Sequence, residues 1–358
     1  GQEVYGTYSF IISMLAILSI FSLPGMETSL VKAFAKKRDG TLKLATKERL
    51  KFSLIGSLAS LCIFFWYFSK GNSELSLAFL IISLLLPFKE SLDLFSPFWT
   101  GKKDFKKRSI YTIVPTLVST LAVAVTIYLG QSPALIVLSF MLSLSLVNLL
   151  FLALTLNQKE NDETDPESIR FGKDLTVVSA ISMLANNVDK IILWKFFGPI
   201  QLAIYSFAQT PIQQIQGAIP IKDLALPKVG SQDVSQIKDG LIKKFKKLFF
   251  VSVPAGIGAI ALAPLFYKIL LPQYVDSIAY FQVFSIVIIL SPFILLESAL
   301  LAEMKKREIY IMQISVPLIR ILLFLLLIPF LAIWGVVLAI IISQIINGVL
   351  SYYFFKTL

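Results

Sequence analysis

The chain has 358 residues, of which 56% are apolar and only 15% charged, with a net charge of +11, one cysteine and no histidine. A water-soluble domain carries about 25% charged residues to solvate its surface, so this composition excludes one. It also excludes a disulfide framework and any metal centre built on His or on several Cys.

Runs of about 20 apolar residues match the ~30 Å hydrocarbon core at 1.5 Å of helix rise per residue. Eleven are predicted as membrane-spanning helices: 7–31, 50–68, 76–97, 109–129, 133–155, 172–195, 199–221, 247–271, 277–301, 309–331 and 333–356. Their continuity argues for helices, since barrel strands alternate. The first run contains Pro24-Gly25 and leads into a basic segment, 32–51. The second carries Cys62 ("SLCIFFW"), read as a buried packing thiol. The third, "LLLPFKESLDLF", holds Lys89, Glu90 and Asp93. Lys89 and Asp93 are one helical turn apart, placed either to neutralise each other or to meet a ligand.

The connection "LNQKENDETDPESIRFGKD" at 156–174 is too polar for hydrocarbon and reads as a cytoplasmic linker. Beyond it the sixth span ends in Asn186, Asn187, Asp189 and Lys190, and the seventh carries Gln209, Gln213, Gln214 and Gln216. Gln209, Gln213 and Gln216 fall on one helical stripe. Interhelical hydrogen bonding would explain them, but four Gln in so short a stretch favours a hydrated lining. Glu297 in the ninth span and Arg320 deep in the tenth complete the intramembrane charges. Such residues are costly in lipid and face protein or a watery cavity. Arg320 needs Glu297 or a ligand. Pro24, Pro87, Pro97, Pro115, Pro211, Pro254, Pro264, Pro292 and Pro317 are expected to interrupt or kink their spans.

Of 33 Lys and Arg, 27 fall in alternate connections and at Lys356. Positive-inside bias places those connections in the cytoplasm, with residue 1 outside and Leu358 inside. The positive charge is accounted for by topology and anionic lipid, without nucleic acid.

The chain also repeats itself. "KKRSIY" at 106–111 returns as "KKREIY" at 305–310, each after a Pro-Phe (Pro87-Phe88, Pro292-Phe293) and before a Val-Pro (Val114-Pro115, Val316-Pro317). "GQEVYGTYSF" at 1–10 returns as "GPIQLAIYSF" at 198–207. Matches in the same order at nearly constant offset mark two parallel repeats. The expected organisation is an all-α polytopic protein with an N-terminal lobe at 1–155, a linker at 156–172 and a C-terminal lobe at 173–358. The second repeat opens with a span, 172–195, for which the first has no counterpart. A further helix before Gly1, giving twelve spans, is therefore expected.

No phosphate-binding loop, nucleophile–base pair or metal-ligand cluster occurs, so neither an enzyme nor a cofactor is expected. A membrane polysaccharide polymerase or a receptor would bring larger extramembrane segments. The stretches "GQEVYGTYSFIISMLAILSIFSLPGMETSLVKAFAKK" and "ISMLANNVDKIILWKFFGPIQLAIYSFAQ" resemble the polysaccharide-repeat-unit flippases. These form the polysaccharide transport branch of the multidrug/oligosaccharidyl-lipid/polysaccharide exporter superfamily. The resemblance implies transfer of an undecaprenyl-diphosphate-linked oligosaccharide across the bacterial plasma membrane, as in O-antigen and lipopolysaccharide assembly. Polysaccharide polymerase and chain-length proteins are the implied partners. On it, Lys89, Arg320, Lys190, Gln209, Gln213 and Asn187 become candidate substrate-binding residues. Asp189, Glu297 and Asp93 become candidates for a coupling cation, H+ or Na+. The alternative within the superfamily is a cation-coupled multidrug antiporter.

Overall fold

The computed structural model describes residues 1–218, 234–302 and 306–356. Much of the basic segment 222–247, Lys305 of the second hexapeptide and Leu358 lie outside the described residues.

The described elements are helices. The N-terminal ones are α1 (Gln2–Leu18), α2 (Gly25–Ala35), α3 (Thr41–Ser69), α4 (Ser73–Ser91), α5 (Phe95–Gly101), α6 (Phe105–Tyr128) and α7 (Pro133–Leu156). Then come α8 (Pro166–Ala185), α9 (Val188–Ala218), α10 (Val234–Leu270), α11 (Ile278–Phe284), α12 (Ile286–Leu290), α13 (Phe293–Ala302), α14 (Lys306–Leu331) and α15 (Ile333–Lys356). Ten described stretches are long and apolar enough to cross a membrane. One of them, Pro166–Gly217, has 52 residues, roughly 78 Å of helix at 1.5 Å per residue. That is more than twice one crossing. It reverses at Gly198, whose φ of 79° and ψ of −174° suit only glycine. It thus supplies two of the eleven expected spans, and the protein is multi-pass.

Side chains set where helices begin. Asn72 accepts the Leu75 N–H at 3.0 Å, Asp104 the Lys107 N–H at 2.9 Å and Asp165 the Ser168 N–H at 3.3 Å. Each satisfies an otherwise orphaned donor of a first turn. The prolines act less uniformly than expected. Helices run on through Pro87, Pro115, Pro211, Pro254, Pro264 and Pro317. Breaks occur at Pro24, where Leu23 takes a left-handed φ of 57°, and at Pro292, between α12 and α13. Cys62 is also not where expected: it lies exposed on α3. Exposed Leu58, Phe65, Trp66 and Phe68 share that helix, as on a lipid-facing surface.

The chain divides into two units, one of Phe10–Asn187 and one of Gly1–Ser9 with Val188–Leu358. In this division α8 goes with the N-terminal helices, where it packs on α2. The contact is close. A Cβ on Gly25 would lie 2.4 Å from the Thr176 backbone nitrogen, and one on Gly172 2.9 Å from Met26 Cα. The Gly25 N–H donates to Thr176 Oγ1 at 3.1 Å. Beside it, Met26, Leu30 and Phe34 of α2 join Phe98, Trp99, Tyr111 and Phe151 in the core of the first unit.

The segment leading into α8 is strapped down. Asp39, wholly buried, accepts the Glu160 N–H at 2.9 Å and pairs with Lys102 at 2.8 Å. Asn161 accepts from the Asp39 N–H at 3.1 Å and donates to the Lys37 carbonyl at 2.7 Å. The Asp165 N–H donates to Thr41 Oγ1 at 2.8 Å. Burial alone would lower the Lys102 pKa, but its bonds to Asp39 and Glu160 outweigh that and hold it above the usual lysine range.

Gly25→Leu is expected to cost about 1–3 kcal/mol by forcing backbone apart at the α2–α8 crossing. Gly217→Ala, where nothing stands within 4 Å, is expected to be neutral or mildly stabilising. Thermal unfolding of the two purified variants checks both.

Candidate functional site

In the first unit the charges gather on a residue that the sequence presented as one of a basic run. Arg49 lies two turns into α3 and is wholly buried. Its Nε donates to the Ser22 carbonyl at 2.8 Å, where the turn Ser19–Ser22 ends. Nη1 meets Asp93 at 2.9 Å and Glu27 at 3.6 Å, and Nη2 meets Glu90 at 3.9 Å. Lys89 pairs with Glu90. The expected Lys89–Asp93 turn does not form, because α4 ends at Ser91 and Asp93 sits in the break before α5. Asn148 of α7 donates to the Lys89 carbonyl at 3.2 Å, near the end of α4.

The sequence held a signal for Arg49. Ala45, Arg49, Ser53, Gly56, Ser57 and Ser60 form the buried stripe of α3, and small residues at that spacing mark a helix–helix interface in membranes. Lys43, Lys47 and Lys51 lie off that stripe.

In the second unit the turn at Gly198 folds the two arms of α9 together. Asp189, 1% exposed, then accepts a hydrogen bond from the Tyr205 hydroxyl. The tyrosine is that of the repeated Tyr-Ser-Phe. Arg320 of α14 donates from Nε to Ser343 Oγ of α15 at 2.8 Å and is electrostatically coupled to Asp189 and Tyr205. Lys190 is half-buried beside Asp189.

Farther along α9, Gln209 and Gln216 are half-buried, whereas Gln213 and Gln214 are exposed. Gln216 lines a cavity of about 220 Å³ with Ser291, Phe293, Glu297, Gln344 and Asn347. Asn187 spends its side-chain amide on the Met183 carbonyl, at 2.9 Å, in the last turn of α8.

The candidate residues thus form three groups: Lys89 and Asp93 around Arg49, Asp189 and Arg320 with Tyr205 and Ser343, and Glu297 at the cavity. No group of three or more His, Cys, Asp or Glu able to hold a metal ion occurs among the described residues.

Arg49→Ala leaves the half-buried Asp93 and Glu90 beside one lysine; breaking a fully buried ion pair costs about 3–5 kcal/mol, and solvent at Asp93 reduces that here. A large drop in unfolding temperature is expected. Arg49→Lys is expected to fall between, keeping charge but losing the fork that reaches Ser22 and Asp93 together. An Arg49→Ala protein as stable as wild type would contradict the assignment.

The family model for polysaccharide biosynthesis proteins matches residues 1–222. No curated protein matches the chain by sequence. Among solved structures it is similar to the lipid II flippase MurJ in an inward closed conformation. That match has 15% identity and a TM-score of 0.76, and covers 99% of this chain and 82% of that one. It is also similar to an inward-facing multidrug resistance MATE family transporter of the MOP superfamily, with 15% identity, a TM-score of 0.69 and coverage of 99% and 89%. A MOP superfamily transporter from Pyrococcus furiosus aligns with 14% identity, a TM-score of 0.63 and coverage of 99% and 86%. At these identities the likeness is one of fold. With the family model spanning more than half of its length, the chain belongs to the polysaccharide biosynthesis protein family.

Proposed function

We propose that this protein flips a polyprenyl-diphosphate-linked oligosaccharide repeat unit across the bacterial plasma membrane for surface polysaccharide assembly. The observation that carries the reading is Arg320, a guanidinium kept deep within an apolar span beside Asp189, Tyr205 and Ser343. A diphosphate and several sugars cannot enter hydrocarbon without losing many kcal/mol of hydration. A transporter for them must offer fixed polar groups inside the bundle while the polyprenyl tail stays in lipid. The planar guanidinium fork matches paired phosphate oxygens. Lys89, Lys190, Gln209 and Gln213 are the further substrate-facing candidates. The relatives of known structure support the reading, since one carries lipid II and others belong to a transporter superfamily.

Coupling to H+ or Na+ is assigned to Asp189 and Asp93. Each carboxylate is held beside an arginine, so neutralising it frees the arginine's charge for the substrate. The competing reading, a multidrug antiporter taking amphipathic cations, is disfavoured because Asp189 already lies in the positive field of Lys190 and Arg320.

Arg320→Ala is expected to abolish surface polysaccharide, and Arg320→Lys to restore it in part. In the Arg320→Ala/Asp189→Asn double variant, membrane abundance should return because no carboxylate is left without its arginine, yet export should not. Immunoblots of membranes and surface-glycan staining separate the two effects. Wild-type export by the double variant would refute the role given to Arg320.

A further inference from the structure

The cavity in the second unit has a lining that the charged groups above do not use. Gln216 ends the glutamine stripe of α9, Glu297 comes from α13, and Gln344 and Asn347 project from α15 one turn apart. Ser291 enters from the break between α12 and α13. Three carboxamides, a carboxylate and a hydroxyl thus line one cavity within a largely apolar membrane bundle. The rest of the lining is apolar: Val287, Leu290 and Ile294 with the ring of Phe293. That ring is fixed in place. It packs edge-on against Phe245 with centroids 5.2 Å apart, and a Cβ on Gly348 would lie only 3.1 Å from it.

Two ligand chemistries suit so many oxygens, and the cavity distinguishes them. A bare cation needs oxygens at about 2.0–2.6 Å on all sides, and apolar walls give it nothing. This cavity is about 220 Å³, roughly seven times the ~30 Å³ a water occupies in the liquid. Carboxamides also present N–H donors as well as acceptors. A sugar ring uses all of this: vicinal hydroxyls that donate and accept, and a C–H face that packs on an aromatic ring. Sites built to hydrogen-bond hydroxyls discriminate strongly against ligands lacking them, because their own polar groups are then left unsatisfied.

We infer that this cavity is a carbohydrate subsite that holds one neutral sugar ring, bonded by Gln216, Glu297, Gln344 and Asn347 and packed on Phe293. The inference rests on the flippase reading for its biological meaning and moves Glu297 from the cation-coupling set to the sugar-binding set.

The test relies on the chain having one cysteine, which is replaced first. In a Cys62→Ser background, Ser291→Cys places a thiol in the cavity wall, and Ile294→Cys provides a second reporter. Maleimide labelling rates of the purified full chain are measured with glucose, galactose, N-acetylglucosamine or rhamnose, and with sodium chloride against choline chloride. At least one sugar is expected to slow labelling severalfold, and sodium to leave it unchanged. Adding Gln344→Leu should weaken the protection about tenfold, the worth of a hydrogen bond or two. The exposed Gln214→Leu should not change it. Labelling that no sugar slows, slowing by sodium alone, or failure of either cysteine to react would overturn the inference. Labelling needs no transport, so protection by sugar stands even if export assays reject the flippase reading. Normal surface polysaccharide in cells carrying Gln344→Leu, with no protection in vitro, would sink the subsite alone.

Discussion

A guanidinium held out of water must be fully paired, and in the first unit that requirement falls on Arg49. Three pieces of broken helix meet at it: the carbonyl end of the turn Ser19–Ser22, the start of α2 through Glu27, and the end of α4 through Glu90 and Asp93. The break at Leu23-Pro24 frees the Ser22 carbonyl, and the break after Ser91 turns Asp93 inward. Each irregularity would be expensive in hydrocarbon on its own. Together they supply what the arginine lacks, and the arginine supplies what they lack. The position of α2, and through the Gly25–Gly172 crossing that of α8, follows from this arrangement.

The second unit answers the same demand with a different device. Gly198 reverses the chain in a conformation that a residue with a Cβ rarely adopts. The reversal brings Asp189 and Tyr205 together although sixteen residues separate them in sequence. Arg320 and Ser343 close the group from α14 and α15. Polar side chains that would be costly singly are retained in clusters, where each satisfies the others.

Span number, helical class and repeat-bearing motifs were legible because they depend on hydropathy over 20 residues and on local motifs that a linear reading captures. The Tyr-Ser-Phe motif was visible, but its purpose was not, since it needs the Gly198 reversal to bring Tyr205 to Asp189. Arg49 does not stand out in the sequence because it lies among lysines whose number alone explains membrane topology. Only the small-residue stripe from Ala45 to Ser60 sets it apart. Lys89 and Asp93 share a face only on an unbroken helix, and α4 ends at Ser91. Free cysteines are usually buried, but in lipid an apolar thiol is stable facing outward, as Cys62 does. Gln216, Gln344 and Asn347 converge from distant helices, and no one-dimensional pattern shows that they do.

The central claim is that the bundle carries a lipid-linked sugar. It is tested most directly by reconstituting the full chain into liposomes with a polyprenyl-diphosphate-linked oligosaccharide in the inner leaflet. The readout is the rate at which that sugar becomes accessible to an external lectin. The account expects accessibility to rise well above protein-free vesicles and to fall back to their level with Arg320→Ala. Equal rates with and without protein, alongside uptake of a lipophilic cationic dye, would contradict it.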